Sequence, residues 1–124
     1  MQLIGIGIDI FEAKRIRKVL KERTRASFVR RVYHPHELLR LKNSGFRAYA
    51  LSFCIKEAFL KALGMGWNEY TKFHEVEVLF KEKAITFKVY GKTAALVKKL
   101  RIKEKPADYS DCGSYIMAAV GLYR

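Results

Sequence analysis

The sequence has little cysteine and no long apolar run, and each shortage excludes a class of protein. Its two cysteines, Cys54 and Cys112, form no CxxC motif. This predicts unpaired thiols in a reducing compartment rather than a disulfide framework. No basic segment precedes the N-terminal apolar stretch, which Asp9 interrupts, so we expect no signal peptide and no membrane span. A cytoplasmic protein is therefore expected.

Acidic residues are also scarce. The 124 residues include 25 Lys and Arg but only 12 Asp and Glu, for a net charge of +13. The first 47 residues are the more basic part of the chain. Such an excess favours a polyanionic partner: nucleic acid, an anionic membrane, a phosphorylated cofactor or an acidic protein. The plainer alternative is a soluble surface rich in lysine.

Only two prolines are present, and no linker, repeat or low-complexity tract, so we expect a single domain over residues 1–124. Periodicity predicts an α+β domain with a mostly antiparallel sheet and helices packed on it. The predicted helices span 12–21, 28–32, 35–41, 46–63 and 91–100. The predicted strands are 2–10, ending at Asp9, then 76–80, 85–90 and two closing strands around 111–113. The last strand, 115–123, is apolar on both sides and should lie inside the sheet.

The helix at 46–63 is mostly apolar and should be buried. Buried charge is costly without a partner, yet Glu57 and Lys61 lie about 40° apart on one edge of this helix. Small neighbours on that edge would leave room for a ligand. The alternative is an ordinary i,i+4 ion pair worth about 0.2–0.5 kcal/mol.

Asp9 interrupts an otherwise apolar strand. Either it caps the following helix, or it meets a cation. Together with Glu57 it could hold one Mg²⁺, which takes one or two protein carboxylates and completes its shell with water and phosphate oxygens. Gly5 and Gly7 lie within the strand, complete no GxGxxG fingerprint and should permit close backbone packing. The three histidines have no evident metal-ligand partner in the sequence and are expected in turns or on the surface.

Two motifs together resemble the holo-acyl-carrier-protein synthases, the small bacterial phosphopantetheinyl transferases. The first is Ile6-Gly7-Ile8-Asp9-Ile10 with Arg15-Ile16. The second is the FxxKEAxxKAxGxG pattern from Phe53 to Gly66. The segment 28–32 with Glu37, and 110–120 in the closing strands, extend the resemblance over nearly the whole chain.

The resemblance implies the small phosphopantetheinyl transferase fold, with one long buried helix, in a homotrimer whose sites lie between subunits. It implies transfer of the 4′-phosphopantetheine arm from coenzyme A to a serine of an acidic apo acyl carrier protein, in fatty acid biosynthesis. Asp9 and Glu57 match magnesium ligands, and with Lys61 they match the catalytic set. The matched coenzyme A positions are Arg47, Lys61, Gly64, Gly66, Ser110 and Asp111. Arg15 and Arg17 match the surface that docks the carrier protein.

The chain departs from the family pattern in three places. Ser52 stands where a basic residue is frequent, so Arg47 and Lys42 become candidates for holding the coenzyme A 3′-phosphate. Asp111 stands where many members have histidine, and the hairpin around 81–83 lacks the usual Gly-Lys-Pro turn. The general base is either Glu57 or an activated water.

Two other functions compete with this interpretation. One is a small basic nucleic-acid-binding domain, although no recognition-helix, RRM or KH signature is present. The other is a coenzyme-binding scaffold that kept the fold and lost the chemistry.

Overall fold

The structure, a computed structural model, describes residues 1–64, 72–82 and 84–124. Its strands are β1 (Leu3–Glu12), β2 (Val76–Lys81), β3 (Ala84–Val89), β4 (Ala107–Asp111) and β5 (Tyr115–Tyr123). Its helices are α1 (Lys14–Leu20), α2 (Arg25–Val32), α3 (Pro35–Leu41), α4 (Phe46–Ala62) and α5 (Gly91–Lys99), with a 3₁₀ turn at Phe73–Glu75 before β2. The expected α+β class is confirmed. No helix in these ranges has the length and apolar character needed to cross a membrane.

The strands form two antiparallel units. A three-stranded sheet has the order β1-β5-β4, and a separate hairpin joins β2 to β3. In the sheet, Asp9 lies opposite Ala118, and the β1–β5 pairing continues to Glu12 opposite Tyr115. The prediction that β5 is an inner strand is confirmed.

Helix α4 is the centre of the core, as the apolar composition of residues 46–63 predicts. Ten of its 17 residues are buried. It packs on one face of the three-stranded sheet, which buries alternate residues of β1, among them Gly7, Asp9 and Phe11. The rings of Phe59 on α4 and Phe87 on β3 are 4.7 Å apart, so the hairpin packs on the same helix.

The contact between β1 and α4 is unusually close because β1 has glycines where it meets the helix. A Cβ atom at Gly5 would lie 2.0 Å from the carbonyl oxygen of Ala62, and one at Gly7 would lie 1.7 Å from that of Ala58. No side chain fits at such distances. The expectation that these glycines permit close backbone packing is confirmed.

Three local expectations were wrong. β1 does not end at Asp9, because its pairing with β5 holds it extended for three more residues. Asp9 does not cap the next helix, since α1 begins at Lys14 after Ala13, and no side chain caps that end. Helix α2 begins at Arg25 rather than at residue 28.

Candidate active site

Strand β1 and helix α4 bring Asp9, Glu57 and Lys61 together. Lys61 Nζ lies 2.9 Å from Asp9 Oδ1 and 3.2 Å from the carbonyl oxygen of Ile8. The side chain of Asp9 is 7% exposed and that of Lys61 is 52% exposed. In the described part of the chain Lys61 pairs with Asp9 rather than Glu57, so the i,i+4 alternative is wrong. The hydrogen bond to Asp9 raises the pKa of Lys61, which keeps it cationic.

The second oxygen of Asp9 has no hydrogen-bond partner among the residues that the structure describes. Oδ2 is buried without a hydrogen bond. Glu57 faces this carboxylate, and its pKa is raised to about 7, first by burial, then by the hydrogen bond it makes to Asp9 when protonated and by repulsion from it. An unpartnered buried acceptor beside a second carboxylate needs either a shared proton or a cation.

The donor set fits a hard divalent cation. Asp9 and Glu57 offer carboxylate oxygens, which Mg²⁺ prefers, and two such ligands would leave coordination positions for water and phosphate oxygens. A cation bound to Asp9 Oδ2 would also provide the partner that this oxygen lacks. The site therefore has the chemistry of a magnesium site with an ammonium group beside it.

The thiol of Cys54 lies behind the site. Its Sγ is 3.6 Å from the carbonyl oxygen of Asp9 and 3.5 Å from that of Ile116, in the gap between β1 and β5. Burial raises its pKa, so this thiol stays protonated and packs as a small apolar group. Cys112 is exposed and also free, which confirms the prediction of unpaired thiols.

The residues expected at coenzyme A do not form one cluster within a chain. Arg47 makes an ion pair with Asp111, whose neighbour Ser110 lies on β4. Lys61 is almost four turns further along α4 than Arg47, or about 21 Å at 1.5 Å per residue. Gly64 follows α4 with a φ of +75°, which suits glycine.

Two further residues, Gly66 and Lys42, were also predicted to contact coenzyme A. Gly66 lies outside the described residues, as do Trp67 and the rest of 65–71. Lys42, the other candidate for the 3′-phosphate, is exposed where α3 ends and has no ion pair within the described ranges. A cleft of about 360 Å³ beside Arg47 also has Lys14 and Arg17 in its walls, so α1 and α4 both contribute cations to this end of α4.

Helix α1 presents a basic surface beside the carboxylates. Its exposed cations are Lys14, Arg15, Arg17 and Lys18. The guanidinium of Arg15 lies over the ring of Phe11 at 5.4 Å, and that of Arg17 over Phe46 at 5.5 Å. These contacts place the two arginines on rings of β1 and α4, the elements that carry the carboxylates. Because the charge of Arg15 is felt by Glu57, the basic surface adjoins the candidate site.

The sequence analysis did not predict a second lysine–carboxylate pair, which joins α4 to α3. Lys56 is fully buried and pairs with Glu37. Burial lowers the pKa of Lys56 to about 8, although the Glu37 charge opposes the shift. Ser52, whose hydroxyl donates to Glu37 at 2.8 Å, belongs to the same network. One signal for Glu37 was present in the sequence: it is three residues after His34, the spacing of the capping box found at the start of α3.

Two histidines also have partners that the sequence did not indicate. His34, His36 and Glu77 place potential ligand atoms within 4.8 Å of one another. However, His34 Nδ1 accepts the His36 N–H as a helix cap, and Arg40 lies 3.0 Å from Glu77. The helix cap and the ion pair therefore already occupy His34 Nδ1 and the Glu77 carboxylate, which leaves few free ligand atoms for a metal cation.

Comparison with known proteins decides the family. A sequence model of the 4′-phosphopantetheinyl transferase superfamily matches residues 5–120. The holo-[acyl-carrier-protein] synthases of Geobacter metallireducens and Geobacter sulfurreducens are each 34% identical to this chain, with 98% of both chains covered. This chain belongs to that family. The resemblance seen in the sequence is thereby confirmed, and with it the phosphopantetheinyl transferase function.

Solved structures agree. The Neisseria meningitidis synthase superposes with a TM-score of 0.89 at 27% identity, over 99% of this chain and 100% of that one. The Helicobacter pylori synthase, solved in complex with coenzyme A, gives 0.81 at 27% identity, over 95% of this chain and 99% of that one. The expected fold of the small transferases is confirmed.

Proposed function

We propose that this protein is a magnesium-dependent holo-[acyl-carrier-protein] synthase. It transfers the 4′-phosphopantetheine arm of coenzyme A to a serine of an apo acyl carrier protein and releases 3′,5′-ADP. The observation that supports this most directly is the pairing of Asp9 and Glu57, with one buried oxygen unpartnered and Lys61 alongside. The free thiols favour a cytoplasmic setting, and the family favours a role in fatty acid biosynthesis.

Asp9 and Glu57 would hold the metal. When bound, Mg²⁺ would neutralise pyrophosphate charge and stabilise the departing 3′,5′-ADP. Glu57, the half-buried carboxylate beside Asp9, is one candidate to accept the serine proton, and an activated water is the other. Lys61 is half exposed and permanently charged, so its ammonium can contact a non-bridging phosphate oxygen while Asp9 keeps it in place.

The transfer is a substitution at the β-phosphorus of coenzyme A. The serine oxygen forms a bond to this phosphorus, and the bond from phosphorus to the oxygen shared with the α-phosphate breaks. The serine proton passes to Glu57 or to a solvent molecule beside it. Most of the rate acceleration then comes from positioning and charge neutralisation, as in other phosphoryl transfers.

The complete site is proposed to need two subunits of a homotrimer. Arg47 lies about 21 Å along α4 from Lys61 in one chain, which is too far for one phosphate to contact both side chains. The face of the three-stranded sheet opposite α4 is also apolar and uncovered. Its exposed side chains are Ile6, Ile8, Ile10, Tyr115 and Met117, each at least 41% exposed. A surface of this kind favours self-association, which would bring one subunit's Arg47 near the partner's Lys61.

The basic surface of α1 is proposed to dock the acidic carrier protein. Charge reversal at Arg15 and Arg17 should raise the KM for the carrier protein and leave the KM for coenzyme A nearly unchanged. The reason is that both arginines are exposed on α1, whereas the carboxylate pair lies on β1 and α4. Steady-state kinetics with each substrate varied in turn would measure this. Equal changes in the two constants would argue against a docking role.

Intact mass spectrometry tests the function. Apo acyl carrier protein is incubated with this protein, coenzyme A and Mg²⁺, with and without EDTA. We expect a gain of about 340 Da, the mass of one phosphopantetheine arm, blocked by EDTA. Coenzyme A binding without any transfer to carrier proteins from several sources would favour the scaffold alternative. Transfer that persists in EDTA would contradict the metal.

A further inference from the structure

Lys56 is the first lysine of the motif on α4, and the proposed chemistry gives it no part. It directly precedes Glu57, yet its side chain is fully buried. An apolar side chain of similar size would fill the same space without the cost of desolvating an ammonium group. Packing alone therefore does not account for a lysine at this position.

The ammonium group of Lys56 has an acceptor for each of its three protons. Nζ donates to the carbonyl oxygen of Val32 at 2.6 Å, to that of Phe73 at 3.1 Å and to Oε1 of Glu37. Val32 is the last residue of α2, and Phe73 is the first of the 3₁₀ turn. One side chain of α4 thus ties the helix to two separate backbone segments.

Glu37 is just as completely satisfied. Its Oε1 accepts the backbone N–H of His34 at 2.9 Å, and its Oε2 accepts the Ser52 hydroxyl at 2.8 Å and the backbone N–H of Val78 at 3.0 Å. The carboxylate is 2% exposed. Five elements therefore meet in one buried network: α2, α3, α4, the 3₁₀ turn and β2.

The network holds α4 at two points. Ser52 and Lys56 are one turn apart on the same side of the helix, and both are bound to Glu37. Two anchors on one side fix the rotation of a helix about its axis, whereas apolar burial is non-directional and fixes it less well. A rotation of about 10° would move a carboxylate about 6 Å from the axis by about 1 Å, and a 1 Å misplacement can cost a hundredfold in rate.

We propose that Lys56, Glu37 and Ser52 are positioning residues, which set the rotation of α4 so that Glu57 and Lys61 face Asp9. They touch no substrate and act only through the helix. This inference rests on the proposed function, because it concerns the metal pair and the ammonium of that same site.

Two variants test the role. The first is the double variant Lys56→Met with Glu37→Gln, which removes both charges of the buried pair and so leaves neither unpaired. Ser52→Ala removes one hydroxyl donor and is the milder change. Tyr90→Phe is the matched control, because Tyr90 likewise donates a hydroxyl to a buried carboxylate, at 2.6 Å to Glu77 on β2 rather than to Glu37. Phenylalanine keeps the ring that stacks on His34. For each protein, the melting temperature, kcat, KM for apo acyl carrier protein and the Mg²⁺ concentration for half-maximal rate are measured.

We expect the double variant to lose at least about tenfold in kcat and to need severalfold more Mg²⁺ while fully folded, with KM for the carrier protein unchanged. Ser52→Ala should change the same two quantities by a few-fold. Tyr90→Phe should lower the melting temperature and change neither kcat nor the Mg²⁺ requirement.

Folded variants with lower melting temperatures but wild-type kcat and Mg²⁺ requirement would overturn the proposal. If the double variant does not fold, Ser52→Ala alone decides it. Failure of the wild type to transfer the arm would instead contradict the proposed function, and this inference with it.

Discussion

The two lysine–carboxylate groups on α4 differ in how completely their hydrogen bonds are satisfied. Around Lys56 every ammonium proton has an acceptor and both Glu37 oxygens have donors, and nothing is exposed. Around Lys61 one Asp9 oxygen has no partner within residues 1–64, 72–82 and 84–124, Glu57 has a raised pKa, and the lysine is half exposed. The same residue types thus build a structural network in one place and an incomplete site in the other. The incomplete one is where a ligand gains binding energy.

The largest effect is expected at the carboxylates of the incomplete site. Asp9→Asn and Glu57→Gln should each lower kcat roughly a thousandfold, because each removes a ligand and a charge needed by the metal. Neither variant should melt well below the wild type, since the site is not satisfied in the free protein, and near pH 7 without metal Glu57→Gln should melt slightly higher because it removes a destabilising charge. Transfer assays at saturating Mg²⁺ and thermal unfolding measure both quantities. Wild-type turnover in either variant would refute the metal assignment.

The complementary change is Lys56→Met, which should affect stability. Removing one partner of a buried pair leaves Glu37 as an uncompensated charge, which costs about 3–5 kcal/mol in the free energy of unfolding. Lys61→Met should cost less, because its ammonium is already half hydrated and a protonated Glu57 can still donate to Asp9. Urea denaturation of the two variants compares them directly. Equal losses would mean that the two groups do not differ as described.

Lys61→Ala should lower kcat by between about tenfold and a thousandfold if its ammonium contacts phosphate in the transition state. The carrier protein KM should be little changed. Lys61→Arg is a useful control, because it keeps the charge but not the geometry of a single ammonium. A loss below tenfold in the alanine variant would assign Lys61 a structural role, holding Asp9.

The smallest effect concerns pH in the absence of divalent cations. The pKa of Glu57 is about 7 in the folded protein and near 4.5 when unfolded. The folded state therefore binds more protons between these values, so stability should fall as pH rises from about 4.5 to 7. Melting temperatures recorded in EDTA should show this slope, and Glu57→Gln should flatten it. A slope that is identical in wild type and Glu57→Gln would show that Glu57 is not its source.

The sequence predicted the incomplete site better than the complete one. Asp9, Glu57 and Lys61 are each anomalous in an apolar element, so composition alone marks them. Glu37 lies in a short polar helix where carboxylates are ordinary, and its pairing with Lys56 depends on how α3 packs against α4. No periodicity reports that contact.

Long-range pairing also explains the smaller errors. β1 passes Asp9 because β5 continues to pair with it, and the sequence of β1 alone cannot indicate where a partner strand ends. The ion pair between Arg47 and Asp111 is another contact that periodicity does not report, since the two residues are 64 positions apart, and their place at coenzyme A stays a prediction. The order and type of the helices and strands could be predicted because each depends on local periodicity and on the glycines and prolines between them.

The glycines of β1 limit which substitutions this sequence can accept during evolution. Gly7 contacts no ligand in the proposed site, but the atom its side chain would meet is a helix carbonyl, 1.7 Å away, which cannot move without the whole of α4. Any replacement would push Glu57 away from Asp9 and open the core in the same step. Selection for folding and selection for catalysis therefore both require glycine at position 7. Mutational tolerance should be lowest at a position that takes no part in the chemistry.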